Sequence, residues 1–118
     1  MRLAADPNAP QQARRYARQW AHDERLADPI VDDLVFVVSE LVTNAVVHAE
    51  PPIDVELSRS PGVIRGRVSD ASPVAPRLAS RPDEHGGFGL RIVDSRATRW
   101  GSVRQDDGKY VWFEITSP

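Results

Sequence analysis

Glu40, Asn44 and His48 recur every fourth residue in the stretch DPIVDDLVFVVSELVTNAVVH, which runs from Asp28 to His48. On a helix, that spacing places the three side chains in one row. A glutamate so placed can orient or deprotonate a hydroxyl group. The carbonyl oxygen of an asparagine one turn away suits Mg²⁺, a hard cation that takes few protein oxygens and prefers phosphate and water. Asp70 closes the run VIRGRVSD with the parity of Ile64, Gly66 and Val68, so on a strand it points to the covered side. A buried carboxylate there can accept a hydrogen bond from an exocyclic amino group such as adenine's. Such a bond discriminates strongly, because an unpaired buried acceptor is penalised. Gly86-Gly87-Phe88-Gly89 then precedes a helix that Leu90 opens. Glycines permit close backbone approach, and free amides at a helix start bind phosphate.

Each feature taken singly also has a structural explanation. Glu40 and Asn44 can be satisfied polar residues at a helix edge, or part of a solvent-facing strip. Asp70 can be a turn residue at a strand end, followed by Ser72-Pro73. The GGFG run can be a hinge, and it matches neither a Walker A loop nor a GxGxxG fingerprint. His48 is favoured by the helix dipole near a C-terminus and is kept as a supporting group. His22 and His85 show no ligand spacing, so zinc is not expected. With no cysteine in the chain, disulfides, thiolate metal sites and a cysteine nucleophile are excluded.

The elements that must position these groups are legible from pattern. Asp28 is a suitable N-cap, Pro29 suits the first helical position, and Asp32 and Asp33 favour the positive end of the dipole. Leu34, Val38, Leu41, Val42 and Ala45 form one apolar face. Ahead of this helix, Met1 to Ala5 is an edge strand or a loose end. Asn8 can cap a first helix through QQARRYARQWAHDE, with Ala13, Tyr16, Ala17 and Trp20 inward and the arginines on the other side. Glu50-Pro51-Pro52 stops the long helix. Ile53 to Ser58 alternates as a strand, Ser60-Pro61-Gly62 turns the chain, and Val63 to Asp70 returns. Ala71 to Gly86 reads as a long loop. The next helix carries Val93, Ala97 and Trp100 on one face and ends at Gly101. Ser102 to Gln105, the turn Asp106-Asp107-Gly108-Lys109 and the alternating YVWFEI make a final hairpin, with Trp100 and Trp112 expected in the core. This order of elements predicts an α+β, two-layer sandwich: helices on one face of a mixed, largely antiparallel sheet.

A chain of 118 residues suffices for one domain, taken as residues 1–118. Its 41% hydrophobic and 27% charged residues are ordinary for a globular protein. A net charge of −2 gives no electrostatic reason to expect nucleic acid or an anionic membrane as partner. Neither a signal peptide nor a long apolar span is visible, and a cytoplasmic location is expected.

Together the motifs carry a family resemblance. SELVTNAVVHA resembles the N-box, VSDASP the first glycine box and GGFGLRIVD the second glycine box of the Bergerat-fold (GHKL) ATPases. Within that superfamily the chain is similar to the small histidine-kinase-like ATPases typified by bacterial anti-sigma factors that are serine/threonine kinases. The resemblance implies that Glu40 is the general base, Asn44 the Mg²⁺ ligand, and Asp70 the aspartate that binds the adenine amino group. It implies that Gly87, Gly89 and Leu90 belong to the turn whose amides hold phosphates, and that residues 71–86 form a nucleotide lid. The function implied is that of an ATP-binding, Mg²⁺-dependent anti-sigma kinase that phosphorylates a serine on a protein antagonist. The alternative is an ATP-binding or nucleotide-independent module that sequesters a sigma factor or other regulator without kinase activity. A homodimer is compatible with either. Two departures are visible. No glycine follows Asp70 in Ala71-Ser72-Pro73-Val74, and neither Lys109 nor Tyr110 is the small hydroxyl residue that histidine kinases often carry after the hairpin glycine.

Overall fold

Alternation of inward and outward residues gives the sheet its two faces. The computed structural model describes residues 1–48, 51–72 and 89–117. Within them the strands β1 (Arg2–Leu3), β2 (Ile53–Ser60), β3 (Val63–Asp70), β4 (Arg99–Gln105) and β5 (Gly108–Thr116) form one sheet in the order β1-β2-β3-β5-β4. Every pairing among them is antiparallel. Residues 1–5 therefore supply an edge strand: Leu3 pairs with Ile53, and the Val55 amide donates to the Met1 carbonyl at 2.8 Å. In the centre, Ile64 lies opposite Ile115, Gly66 opposite Phe113, Val68 opposite Val111 and Asp70 opposite Lys109. One row of the covered face thus runs from apolar pairs to a charged pair at its end.

Among the described residues three helices accompany the sheet: α1 (Ala9–Asp23), α2 (Asp28–His48) and α3 (Gly89–Arg96). The expected face of α2, Leu34, Val38, Leu41, Val42 and Ala45, is buried throughout. Val35 and Val37 are buried as well, because α2 packs between α1 and α3 while lying on β2, β3 and β5. On α1, Ala9, Ala13, Ala17 and Ala21 form a buried row four residues apart, and such small side chains let two helices approach closely. Arg96 ties α3 to α2. It donates to Asp33 at 3.0 Å and lies 4.5 Å from the centre of the Phe36 ring.

Some local expectations change. Asn8 stands at the N-cap of α1 but makes no side-chain capping bond; its own amide donates to Asp6 Oδ1 at 2.8 Å. Asp28 is the first residue of α2 rather than its cap, since the Ala27 carbonyl receives the amides of Ile30 and Val31. The third helix stops at Arg96 instead of running past Trp100. Thr98 donates its amide to the Glu114 carbonyl at 2.8 Å, which draws the chain onto the sheet edge. Trp100 then faces the core opposite Phe113, its indole N–H reaching Asp94 Oδ1 at 3.1 Å. Gly101 is a strand residue, not a helix stop. A Cβ there would meet the Trp112 indole at 3.0 Å. Trp112 itself lies outside the core, because the odd positions of β5 point inward and it is even. Among the described residues, no helix is long and apolar enough to cross a membrane.

Candidate functional site

Helix α2 carries two of the candidate side chains. Glu40 and Asn44 are both half-buried, one turn apart, at the margin of the face that packs inward. Partial burial pushes the Glu40 carboxyl above its ordinary value, because leaving water disfavours the charged form. The Arg14 guanidinium on α1 acts against that rise by favouring the carboxylate. Arg14 also donates to Ser39 Oγ at 2.8 Å, which fixes it beside the start of this row. The expectation that the α1 arginines all lie on the outer side therefore fails for Arg14, which is half-buried. Its position could have been read from spacing, since it follows the inward Ala13 by one residue. The α2 segment also holds Thr43, whose hydroxyl donates to the Ser39 carbonyl at 2.7 Å.

Asp70 ends β3 on the covered face, as its parity requires, with its side chain only 4% exposed. Its Oδ1 accepts the Ser72 amide at 2.8 Å and the Lys109 ammonium at 3.0 Å. Lys109 is nearly as deep, its side chain 8% exposed, and its Nζ also lies 3.5 Å from the Ser72 carbonyl. Gly108 makes this approach possible. It adopts φ 148°, and a Cβ there would collide with the Asp70 carbonyl oxygen and lie 2.7 Å from Ala71 Cα. Only a residue without a side chain brings the start of β5 so close to the end of β3. The expected turn Asp106-Asp107-Gly108-Lys109 is shorter than its sequence suggests: Gly108 and Lys109 already belong to β5, so Lys109 is a strand residue and not only a mismatch to the histidine-kinase pattern. The missed signal was parity, since Lys109 shares the inward register of Val111, Phe113 and Ile115.

Gly89 and Leu90 form the first turn of α3, consistent with an amide-lined helix start. Gly87 and the part of the expected 71–86 lid from residue 73 onward lie outside the described residues, as do the side chains of His48 and Leu90. Ala71 and Ser72, the beginning of that loop, are held by the bond from the Ser72 amide to Asp70. The structure thus assigns Glu40 and Asn44 to one helix edge, Asp70 to the covered end of a central strand, and Gly89-Leu90 to a helix start.

Comparisons with known proteins bear on the fold that carries these residues. A family model described as the histidine kinase-like ATPase domain matches residues 3–115. No curated protein matches the chain. Among solved structures, the RsbU and RsbW domains of Rv1364c from Mycobacterium tuberculosis superpose with a TM-score of 0.77 at 21% identity, covering 100% of this chain and 32% of that one. The histidine kinase domain of a blue-light activated histidine kinase from Erythrobacter litoralis gives a TM-score of 0.59 at 22% identity, covering 96% of this chain and 64% of that one. The chain therefore spans about a third of the first structure and 64% of the second, and the likeness to both is one of fold. With a match that runs from β1 into β5, and the same fold in both solved structures, the chain belongs to the histidine kinase-like ATPase domain family.

Proposed function

We propose that this chain binds ATP with Mg²⁺ and transfers phosphate to a serine or threonine of a protein regulator, as an anti-sigma-type kinase. The observation that carries the reading is a half-buried Glu40 of raised proton affinity one helical turn from Asn44. A carboxylate whose proton affinity is raised by burial, yet which a nearby guanidinium helps to keep ionised, suits the role of a general base. Glu40 would take the proton of the acceptor hydroxyl as its oxygen attacks. Asn44 would offer its carbonyl oxygen to the cation. A cation held through one asparagine oxygen would take most of its ligands from phosphate and water. That is the habit of Mg²⁺ on a nucleotide. Asp70 would accept from the purine amine, and the amides opening α3 would face the phosphates. When bound, ATP·Mg²⁺ supplies the phosphoryl group and offsets its charge, and the residues contribute positioning and electrostatics.

Glu40→Gln should retain nucleotide while phosphoryl transfer to a serine-bearing partner falls by about 10²–10⁴-fold. Asn44→Ala should lose the Mg²⁺-dependent part of nucleotide affinity in a calorimetric titration. Unchanged transfer in Glu40→Gln would remove the base role. A second reading is a binding module that sequesters its regulator without phosphorylating it. The Lys109–Asp70 pair favours it in one respect, since a protein cation already engages the carboxylate expected to read the base, which makes a purely conformational use of nucleotide the simpler one. Normal nucleotide affinity with no phosphate transferred to any partner would select that second reading.

A further inference from the structure

Beyond its first turn, helix α2 is open to solvent along one narrow strip. Buried side chains between Leu34 and Ala45 take up most of its circumference. The remaining arc carries Asp32, Phe36, Glu40, Thr43, Asn44 and Val47, which helical spacing sets in one stripe. Phe36 is 45% exposed and Val47 57%, so a large apolar side chain stands in water on either side of Glu40 and Asn44. One exposed apolar residue is ordinary on a surface, but two that bracket a proposed base suggest a contact. At the near end, Asp32 is exposed and makes no ion pair among the described residues, which leaves a negative charge one turn before Phe36. The next carboxylate, Asp33, is already paired with Arg96 at 3.0 Å.

The strip is also the way in to Glu40. Helix α1 borders it on one side, where Arg14 meets Ser39, and α3 on the other, where Arg96 meets Asp33. A segment that follows the strip to present a hydroxyl to Glu40 therefore touches Phe36 and Val47. We infer that this strip is the docking surface for the protein substrate and takes it as an extended segment. In that segment the acceptor serine or threonine is flanked by apolar side chains, with a basic one beyond, on the Phe36 side, facing Asp32. This docking role rests on the phosphoryl-transfer reading of the site and adds what surrounds the acceptor hydroxyl. Distances along the helix set the spacing. Phe36 lies about 6 Å from Glu40 along the axis, Val47 about 10 Å and Asp32 about 12 Å, at a rise of about 1.5 Å per residue. An extended chain covers about 3.3 Å per residue. The apolar side chains then fall about two positions from the hydroxyl on the Phe36 side and about three on the other, and the basic one about four positions away.

The test is phosphate transfer from labelled ATP, with Mg²⁺, to short synthetic peptides that carry a single serine. One peptide has arginine four positions and leucine two positions before the serine, and leucine three positions after it. A second has the same order reversed, and in the controls asparagine replaces both leucines. In one of the two directions kcat/KM should exceed its control by about tenfold or more, since both leucines leave water. In Phe36→Ser that advantage should shrink through KM, while kcat and the calorimetric Kd for ADP with Mg²⁺ change little. Val47→Ser is the second variant, should the first fail to fold. Equal transfer to leucine and asparagine peptides, or a preference that both variants retain, would overturn the inference and leave the kinase reading standing. Nucleotide binding without transfer to any peptide would overturn it too, since an extended segment is then not the acceptor. If the wild-type chain binds no nucleotide, the reading on which the inference rests is what fails.

Discussion

Arg14 on α1 and Glu40 on α2 are coupled by charge across the helix pair. Burial raises the Glu40 carboxyl, and Arg14 holds it partly down. If Glu40 must be ionised to accept a proton, the acid limb of the pH–rate profile for kcat/KM reports its protonation in the free enzyme. Removing the guanidinium in Arg14→Met takes away the influence that favours the carboxylate. The acid limb should then move to higher pH, while the plateau rate at high pH changes little by comparison. A limb that stays in place would mean that Arg14 does not act on the rate through Glu40. The row formed by Glu40 and Asn44 was legible from residue spacing alone, and so was the inward parity of Asp70. Neither Arg14 beside Ser39 nor Lys109 beside Asp70 was read, since each contact joins residues far apart in the chain, 25 and 39 positions respectively.

Elements fit together here through a few small residues. Gly66 was visible as an inward position of β3, but its reason lies across the sheet. A Cβ at Gly66 would run into the ring of Phe113, with a Leu57 methyl carbon at 2.9 Å. Phe113 is fully buried, so any movement of its ring has to displace packed neighbours. Gly66→Ala should therefore destabilise the fold by roughly 1–3 kcal/mol through overpacking. In urea the midpoint should fall with little change of slope, and an unchanged midpoint would show that the ring can yield. Element boundaries were less legible than element types. The third helix was extended through Trp100 because Val93, Ala97 and Trp100 keep helical spacing, yet Thr98 is taken by the backbone of Glu114. A strand partner distant in sequence overrides local periodicity.

At the scale of the whole molecule, the sheet has one covered face and one face of charge and aromatic rings. On the latter, Glu114 accepts from Arg65 at 2.5 Å and also from Arg99, linking β3, β5 and β4. Arg67 pairs with Glu56 at 2.8 Å and lies 5.0 Å from the centre of the Tyr110 ring. The two guanidiniums hold the Glu114 carboxyl below its ordinary value, the Arg65 hydrogen bond contributing most. A carboxyl depressed in the folded state binds fewer protons there than in the unfolded chain, so stability rises with pH across the interval between the two values. Its contribution is complete above the unfolded value and disappears as pH falls through the folded one. Glu114→Gln should lower stability at neutral pH by on the order of 1 kcal/mol or less, given the solvent around the arginines. The gap from wild type should close below the ordinary carboxylate range, as denaturant melts across pH would reveal. The sequence by itself determined the helix and strand types, the buried stripe of α2, the antiparallel hairpins and the parity of Asp70, because side-chain periodicity along one segment decides those. Tertiary structure alone decided where α3 ends, why Gly66 and Gly108 lack side chains, and that a lysine meets Asp70. Each of these depends on the register between strands, which no single segment encodes.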